Sequence, residues 1–269
     1  MEILEAKSVG CEKVVELDGI SVTLHGTRVI RHVDWSVRNG QNWVLIGPNG
    51  SGKTTLLRLI NGYLWPSSGT ATILGKRFGE CDLRELRTSI GFASSIMSEE
   101  TPPEQGVLET VLSGRFASIG LYNHTSTTEN KRARSLLKKV GCLRFAAKSY
   151  RTLSQGEKQR VAIARAFMSS PKLLILDESC DGLDLDARES FLRLLDSLGQ
   201  MKTSPTLIFA THRVEEISPV FTHVLILKRG RIVASGPKRT VLTGKNLSKA
   251  FTRDVSVVKR NGRYNTILS

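Results

Sequence analysis

Trp43-Val44-Leu45-Ile46-Gly47-Pro48-Asn49-Gly50-Ser51-Gly52-Lys53-Thr54-Thr55-Leu56-Leu57-Arg58-Leu59-Ile60 is the stretch that decides the fold. A four-residue apolar run reads as a buried strand, and the aliphatic run after Thr55 reads as the start of a helix. The turn between them matches G-x-x-x-x-G-K-[ST] in the strand–loop–helix setting that this pattern requires. Glycines let backbone N–H groups turn inward around a polyphosphate, and the helix N-terminus adds unpaired donors and the positive end of a dipole. Residues Gly47, Pro48, Asn49, Gly50, Ser51, Gly52, Lys53, Thr54 and Thr55 are therefore the expected nucleotide-phosphate cradle. Lys53 is expected to reach the β- and γ-phosphates, and Thr54 to hold Mg²⁺. The plainer alternative is a tight surface turn, which the flanking strand and helix argue against.

The 269 residues are 40% hydrophobic and 24% charged, which fits a soluble globular protein with a sizeable core. The longest aliphatic runs, such as Leu173-Leu174-Ile175-Leu176, are too short to cross a bilayer. The start Met1-Glu2-Ile3-Leu4-Glu5-Ala6-Lys7 lacks the basic and apolar segments of a signal peptide, so a cytoplasmic protein is expected. Cys11, Cys81, Cys142 and Cys180 form no C-x-x-C pair, which suits a reduced compartment and gives no zinc signal. The net charge is +14. Between Lys228 and Arg263 there are eleven Lys/Arg against one acid, Asp254. That basic C-terminal region reads either as a solvated face or as a contact for anionic lipid, nucleic acid or an acidic partner.

Strands are expected at Val14–Leu17, Ile20–Leu24, Val33–Val37 and Trp43–Ile46, with Asp18-Gly19 and Asn39-Gly40 as hairpin turns between them. A further strand covers Thr70–Leu74. From about Pro102 to Met168 the apolar spacing turns helical, at Val107, Leu108, Val111 and Leu112 and again at Ala133, Leu136, Leu137 and Val140. Strands then alternate with a helix: Leu173–Asp177, a helix over about Asp186–Leu198, Thr206–Ala210 and Val224–Leu227. This order implies a mostly parallel sheet with crossover helices. Asn261-Gly262 between two β-rich stretches predicts a hairpin over Val255–Leu268.

Two more segments carry chemistry. Leu173-Leu174-Ile175-Leu176-Asp177-Glu178 is a buried-type strand ending in two carboxylates, where α/β proteins place ligands. The first carboxylate is suited to supporting Mg²⁺ and the second to orienting or deprotonating a water. Leu153-Ser154-Gln155-Gly156-Glu157 opens a helix through an S-x-x-E capping box, and such an N-terminus can also receive an anion.

Taken in order, these blocks resemble the nucleotide-binding subunit of ABC transporters over about Val14 to Ala250. Gly47–Thr55 resembles the Walker A loop and Leu153–Glu157 the family signature, with Gln155 where glycine is commoner. Leu173–Glu178 resembles Walker B with the catalytic glutamate, Asp181-Gly182-Leu183-Asp184 the D-loop, and His212 the switch histidine. The resemblance implies an α/β fold: a P-loop NTPase cassette with a mostly parallel core sheet, an N-terminal antiparallel β subdomain and an inserted helical subdomain. The implied layout is one ATPase domain over 1–269. The core with its β subdomain covers 14–101 and 171–250, the helical signature subdomain 102–170, and a C-terminal β-hairpin 251–269.

It also implies a Mg²⁺-dependent ATPase that powers a transporter, with Glu178 and His212 catalytic and Thr54, Asp177 and Ser95 around the metal. ATP would be clamped between Lys53 of one subunit and Ser154 of another, with Gln155, Gly156, Glu157 and Asp184 beside it and His25 against adenine. One set of motifs per chain implies a homodimer, and the family implies integral-membrane permease partners at the inner face of the cell membrane. Three positions depart from the family pattern. Ser95 stands where glutamine is usual, His25 replaces the adenine-stacking aromatic, and Ser179 replaces a proline. Ser94-Ser95, Val111–Tyr122 and Val241–Leu247 are similar to cassettes grouped near molybdate, metal-chelate and cobalamin importers. The alternative from the basic tail and the missing glutamine is a soluble ABC ATPase acting on ribosomes or nucleic acid.

Overall fold

A computed structural model describes residues 13–94, 100–201, 204–260 and 263–268. Ser95, assigned above to the metal, lies outside the described residues.

Six strands form the central sheet: β3 (Trp43–Ile46), β6 (Ile90–Ser94), β7 (Leu173–Asp177), β8 (Thr206–Thr211), β9 (His223–Lys228) and β10 (Arg231–Pro237). Their order is β10-β9-β3-β8-β7-β6, and every pairing is parallel except β9 with β10. The interior strands are buried on both faces, as crossover helices require. Along β3, Trp43 and Leu45 enter one apolar cluster while Val44 and Ile46 enter the other. β7 divides in the same way, with Leu173 and Ile175 on one side and Leu174 and Leu176 on the other.

The first cluster is shared with a smaller antiparallel sheet. It is made of β1 (Lys13–Leu24), β2 (Thr27–Arg38), β4 (Ser68–Ile73) and β5 (Lys76–Arg77), in the order β2-β1-β4-β5. Here two turn assignments from sequence are corrected. Asp18-Gly19 lies inside β1 as an irregularity between the pairs Leu17↔Trp35 and Ile20↔Val33, and Gly19 N–H donates to Asp34 Oδ1 at 2.6 Å. The hairpin turn is His25-Gly26, both at positive φ (47° and 77°). Asn39-Gly40 makes no hairpin, because the strand after it, β3, joins the other sheet.

The second cluster lies under the helices Val107–Ser113, Thr127–Lys139 and Gln155–Ala166. Val107, Val111, Ala133 and Leu137 are fully buried, so the helical spacing seen in the sequence is the packed face. Arg165 ties this helical unit to the central sheet. Its guanidinium donates to Ser118 O (2.6 Å), Ser113 Oγ (3.2 Å) and Phe92 O (3.4 Å), a partner set suited to a buried cation.

The hairpin read from Asn261-Gly262 is present as β11 (Val255–Arg260) and β12 (Arg263–Leu268), paired from Val255↔Leu268 to Arg260↔Arg263. Its two turn residues lie outside the described set. Among the described residues no helix is long and apolar enough to cross a membrane.

Candidate functional site

β3, β8 and β7 are neighbours running the same way, so their C-terminal ends open onto one edge of the sheet. The glycine loop leaves β3, His212 follows β8, and Asp177 ends β7 before Glu178. Topology alone thus gathers three segments that are up to 165 residues apart in the chain (212 − 47).

The loop needs its glycines for space as well as conformation. A Cβ on Gly47 would sit 2.2 Å from Leu227 O, and Gly52 combines φ 105° with a would-be Cβ 2.8 Å from Ile30. Gly230, in the β9–β10 turn, closes the loop from behind: its N–H donates to Ser51 O at 2.8 Å. The helix Lys53–Ile60 starts at Gly52, which offers no side-chain cap. Its first N–H groups are left for an anion.

Lys53 is 3% exposed. Its ammonium donates to Gly47 O (3.0 Å) and Pro48 O (3.3 Å) and pairs with Glu178 Oε1 at 3.1 Å. Glu178 is held at φ 48°, a left-handed conformation that a glutamate rarely adopts, with its N–H on Ala210 O at 3.1 Å. His212 Nδ1 stands 4.0 Å from Glu178 Oε1 and 3.9 Å from Asp181 Oδ1. Arg213 Nε–H donates to His212 Nε2 at 3.3 Å.

Asp177 is 3% exposed, and its Oδ1 is buried without a hydrogen-bond partner. Burial pushes its carboxyl up to about 6, opposed by a hydrogen bond with Thr54 and by the Lys53 charge and reinforced by the neighbouring Glu178. A buried orphan carboxylate oxygen next to a threonine hydroxyl is a donor set that suits a small hard divalent cation. The expected pair Thr54 and Asp177 therefore fits Mg²⁺. A cavity of about 200 Å³ lies beside them, lined by Arg58, Tyr63, Phe92, Ser94, Glu100 and Ile119.

Other expected site residues are placed elsewhere. Ser154 caps the helix Gln155–Ala166: its hydroxyl accepts from Glu157 N (3.3 Å) and donates to Glu157 Oε2 (2.9 Å), which also accepts from Ser154 N (2.9 Å). Those bonds hold the Glu157 carboxyl below its ordinary range. Ser154 and Gln155 are exposed, and no hydrogen bond or ion pair among the described residues joins them to the glycine loop. Gly156 lies close under Ala187, where an added Cβ would come within 3.3 Å. Asp184 caps the helix Leu185–Gly199 by accepting from Ala187 N at 2.8 Å. His25 sits exposed at the β1–β2 turn, on the hairpin whose Ile30 packs against Gly52.

Sequence reasoning passed over Asp181, Arg213 and Glu216. Glu216 is 1% exposed and accepts from the Thr211 hydroxyl at 2.5 Å; burial pushes its carboxyl up. Asp181 stood within the quoted Asp181–Asp184 block. Nothing local distinguished it from Asp184, the residue that became a helix cap.

Comparisons with known proteins give the family and the fold. The family model described as ABC transporter matches residues 30–181. The chain is 40% identical over 251 residues to the uncharacterized ABC transporter ATP-binding protein YlmA of Bacillus subtilis, covering 93% of this chain and 95% of that one. It is 31% identical to the manganese transport system ATP-binding protein MntB of the same organism, covering 91% and 95%. A solved dimer, the ATP-binding cassette MJ0796 in a post-hydrolysis state with ADP and Pi, superposes with a TM-score of 0.72 at 26% identity, covering 83% and 98%.

Proposed function

The chain belongs to the ABC transporter family of ATP-binding, ATP-hydrolysing subunits, and we propose that it powers an importer by closing and reopening as a homodimer. The observation that carries this reading is the meeting of Lys53, Glu178 and His212 at the ends of three adjacent parallel strands. The relatives carry transporter names, which favours this over a ribosome- or nucleic-acid-acting ATPase. Three of the tail's eleven basic residues have partners within the protein. Arg263 is spent on Glu189, and Lys228 and Lys238 on backbone carbonyls.

In this reading the residues divide the work as follows. Gly47–Thr55 wraps the phosphates with backbone N–H groups. Lys53 exchanges its present oxygen partners, Gly47 O, Pro48 O and Glu178, for phosphate oxygens, and this frees the Glu178 carboxylate. Mg²⁺ held by Thr54 and Asp177 would offset charge on the β- and γ-phosphate oxygens. Glu178 then takes a proton from the attacking water. His212, beside Glu178 and Asp181, faces the terminal phosphate and keeps that water in line. Exposed Ser154 and Gln155, with the half-buried Gly156 and Glu157 beside them, are offered to the ATP of the second copy, and His25 to the adenine. Asp184 sets the start of the helix at the dimer seam. The layout is a single cassette over 1–269, with 102–170 as the helical unit. The permease would hold it at the inner face of the membrane, and contact of the remaining basic residues with anionic lipid follows from that placement.

Gentle solubilisation of native membranes and purification of this chain tests the assignment. A multi-spanning membrane protein should copurify in stoichiometric amount. Copurification with ribosomes or nucleic acid and no membrane protein would overturn it.

A further inference from the structure

The C-terminal hairpin β11–β12 lies outside the nucleotide machinery, yet it is bonded to both segments that carry it. Val255 and Tyr264 are buried in the same apolar cluster as Val214 and Ile217, so the hairpin is packed rather than free. Thr266 donates twice to Glu215 Oε1, from its backbone N–H at 3.2 Å and its hydroxyl at 2.7 Å. Glu215 belongs to the short turn Val214–Glu216, two residues after His212 begins to leave β8. On the inner side of that turn, Glu216 accepts from Thr211, and Thr211 Oγ1 accepts from Arg213 N at 3.0 Å. His212 is thus flanked by an inner anchor, Glu216, and an outer one, Glu215.

The second tie runs to the other segment. Arg263 Nη1 donates to both carboxylate oxygens of Glu189, at 2.5 and 2.6 Å. Glu189 sits on the helix Leu185–Gly199, which begins directly after Asp181–Asp184. Both carboxylates are partly buried, where a charge-assisted hydrogen bond holds geometry better than on open surface. One hairpin therefore spans the exits of the two loops that bring Glu178, Asp181 and His212 within 4.8 Å of one another.

We propose that the hairpin is a clasp for the hydrolytic site, with Thr266 and Arg263 as positioning residues that fix His212 relative to Glu178. The inference rests on the roles given above to Glu178 and His212. The side chains of Thr266 and Arg263 bond to Glu215 and Glu189 rather than to the glycine loop, so loss of a tie should slow the chemical step and leave ATP binding alone.

Steady-state ATP hydrolysis by the full-length chain tests this. Thr266→Val, which loses one hydrogen bond, should lower kcat roughly fivefold, and Arg263→Ala, which loses two charge-assisted ones, roughly tenfold. KM for ATP and Tm should stay close to wild type. Thr266→Ser should restore kcat, and the exchange Glu189→Arg with Arg263→Glu should recover much of what either change loses. His212→Ala is measured alongside. If it abolishes turnover while both hairpin variants keep wild-type kcat, the clasp is wrong and the site assignment stands. If His212→Ala itself turns over normally, the site assignment fails first. A hairpin variant that loses kcat only together with Tm, with no rescue by Thr266→Ser, would also overturn the clasp. Should one variant fail to fold, the other breaks its tie on a different partner and decides the question.

Discussion

Glu178→Gln is expected to lower ATP turnover about a thousandfold, within the range that removal of a positioned general base produces. Glutamine keeps the shape of the side chain at φ 48° but cannot accept a proton from water. It also removes the negative charge that Lys53 now pairs with at 3.1 Å, so the ammonium exchanges more readily to phosphate. ATP affinity should therefore hold or rise. With hydrolysis blocked, the ATP-loaded variant should run at twice the 29.7 kDa mass of one chain. Turnover measured together with mass in solution checks both parts. A variant that hydrolyses ATP at the wild-type rate would remove Glu178 from the mechanism.

Asp177→Asn should separate function from stability. Its carboxyl is raised from 3.8 to about 6, chiefly by burial. An acid whose value is raised on folding favours the protonated fold. The stabilisation is complete below about pH 3.8 and is lost as pH rises through about 6. Above that, the buried charge costs the nucleotide-free protein up to about 3 kcal/mol. Asparagine carries no charge, so at pH 7.5 the nucleotide-free variant should melt several degrees higher, about 5 °C. The advantage should shrink as pH falls below about 6, because the wild-type carboxyl then takes up its own proton. Turnover should fall at least about a hundredfold, because the cation support is gone. Thermal melts across pH, paired with an activity assay, read this directly. A variant less stable than wild type at pH 7.5 would show that Asp177 is structural support rather than a held-back ligand.

How much of this was legible in the sequence depends on how local the cause is. The glycine loop, the capping box at Ser154 and the acidic end of β7 were all readable, because each follows from chemistry within a few residues. Strand and helix positions in the core were readable for the same reason: burial on both faces leaves aliphatic runs such as Leu173–Leu176. The β subdomain was read less well. Asp18-Gly19 looks like a turn but serves as an irregularity within β1, while the true turn uses histidine at positive φ, a residue with no strong turn signal. The β9–β10 turn at Arg229-Gly230 escaped for the same reason. The clasp was invisible because Glu215 and Thr266 are 51 residues apart and Glu189 and Arg263 are 74 apart. The Asn261-Gly262 signal announced the hairpin but said nothing of where it docks.

The central claim is that the site is completed by a second copy, with Lys53 of one chain and Ser154 of the other on the same ATP. Mixing two inactive variants, Lys53→Ala and Ser154→Arg, tests it most directly. A mixed dimer pairs the intact loop of one chain with the intact signature of the other, so one of its two sites is whole. Hydrolysis should reappear on mixing and reach about a quarter of the wild-type rate at equal amounts, since half the dimers are mixed and each has one good site. No recovery at any ratio, from two variants that remain folded and still dimerise, would contradict the shared site.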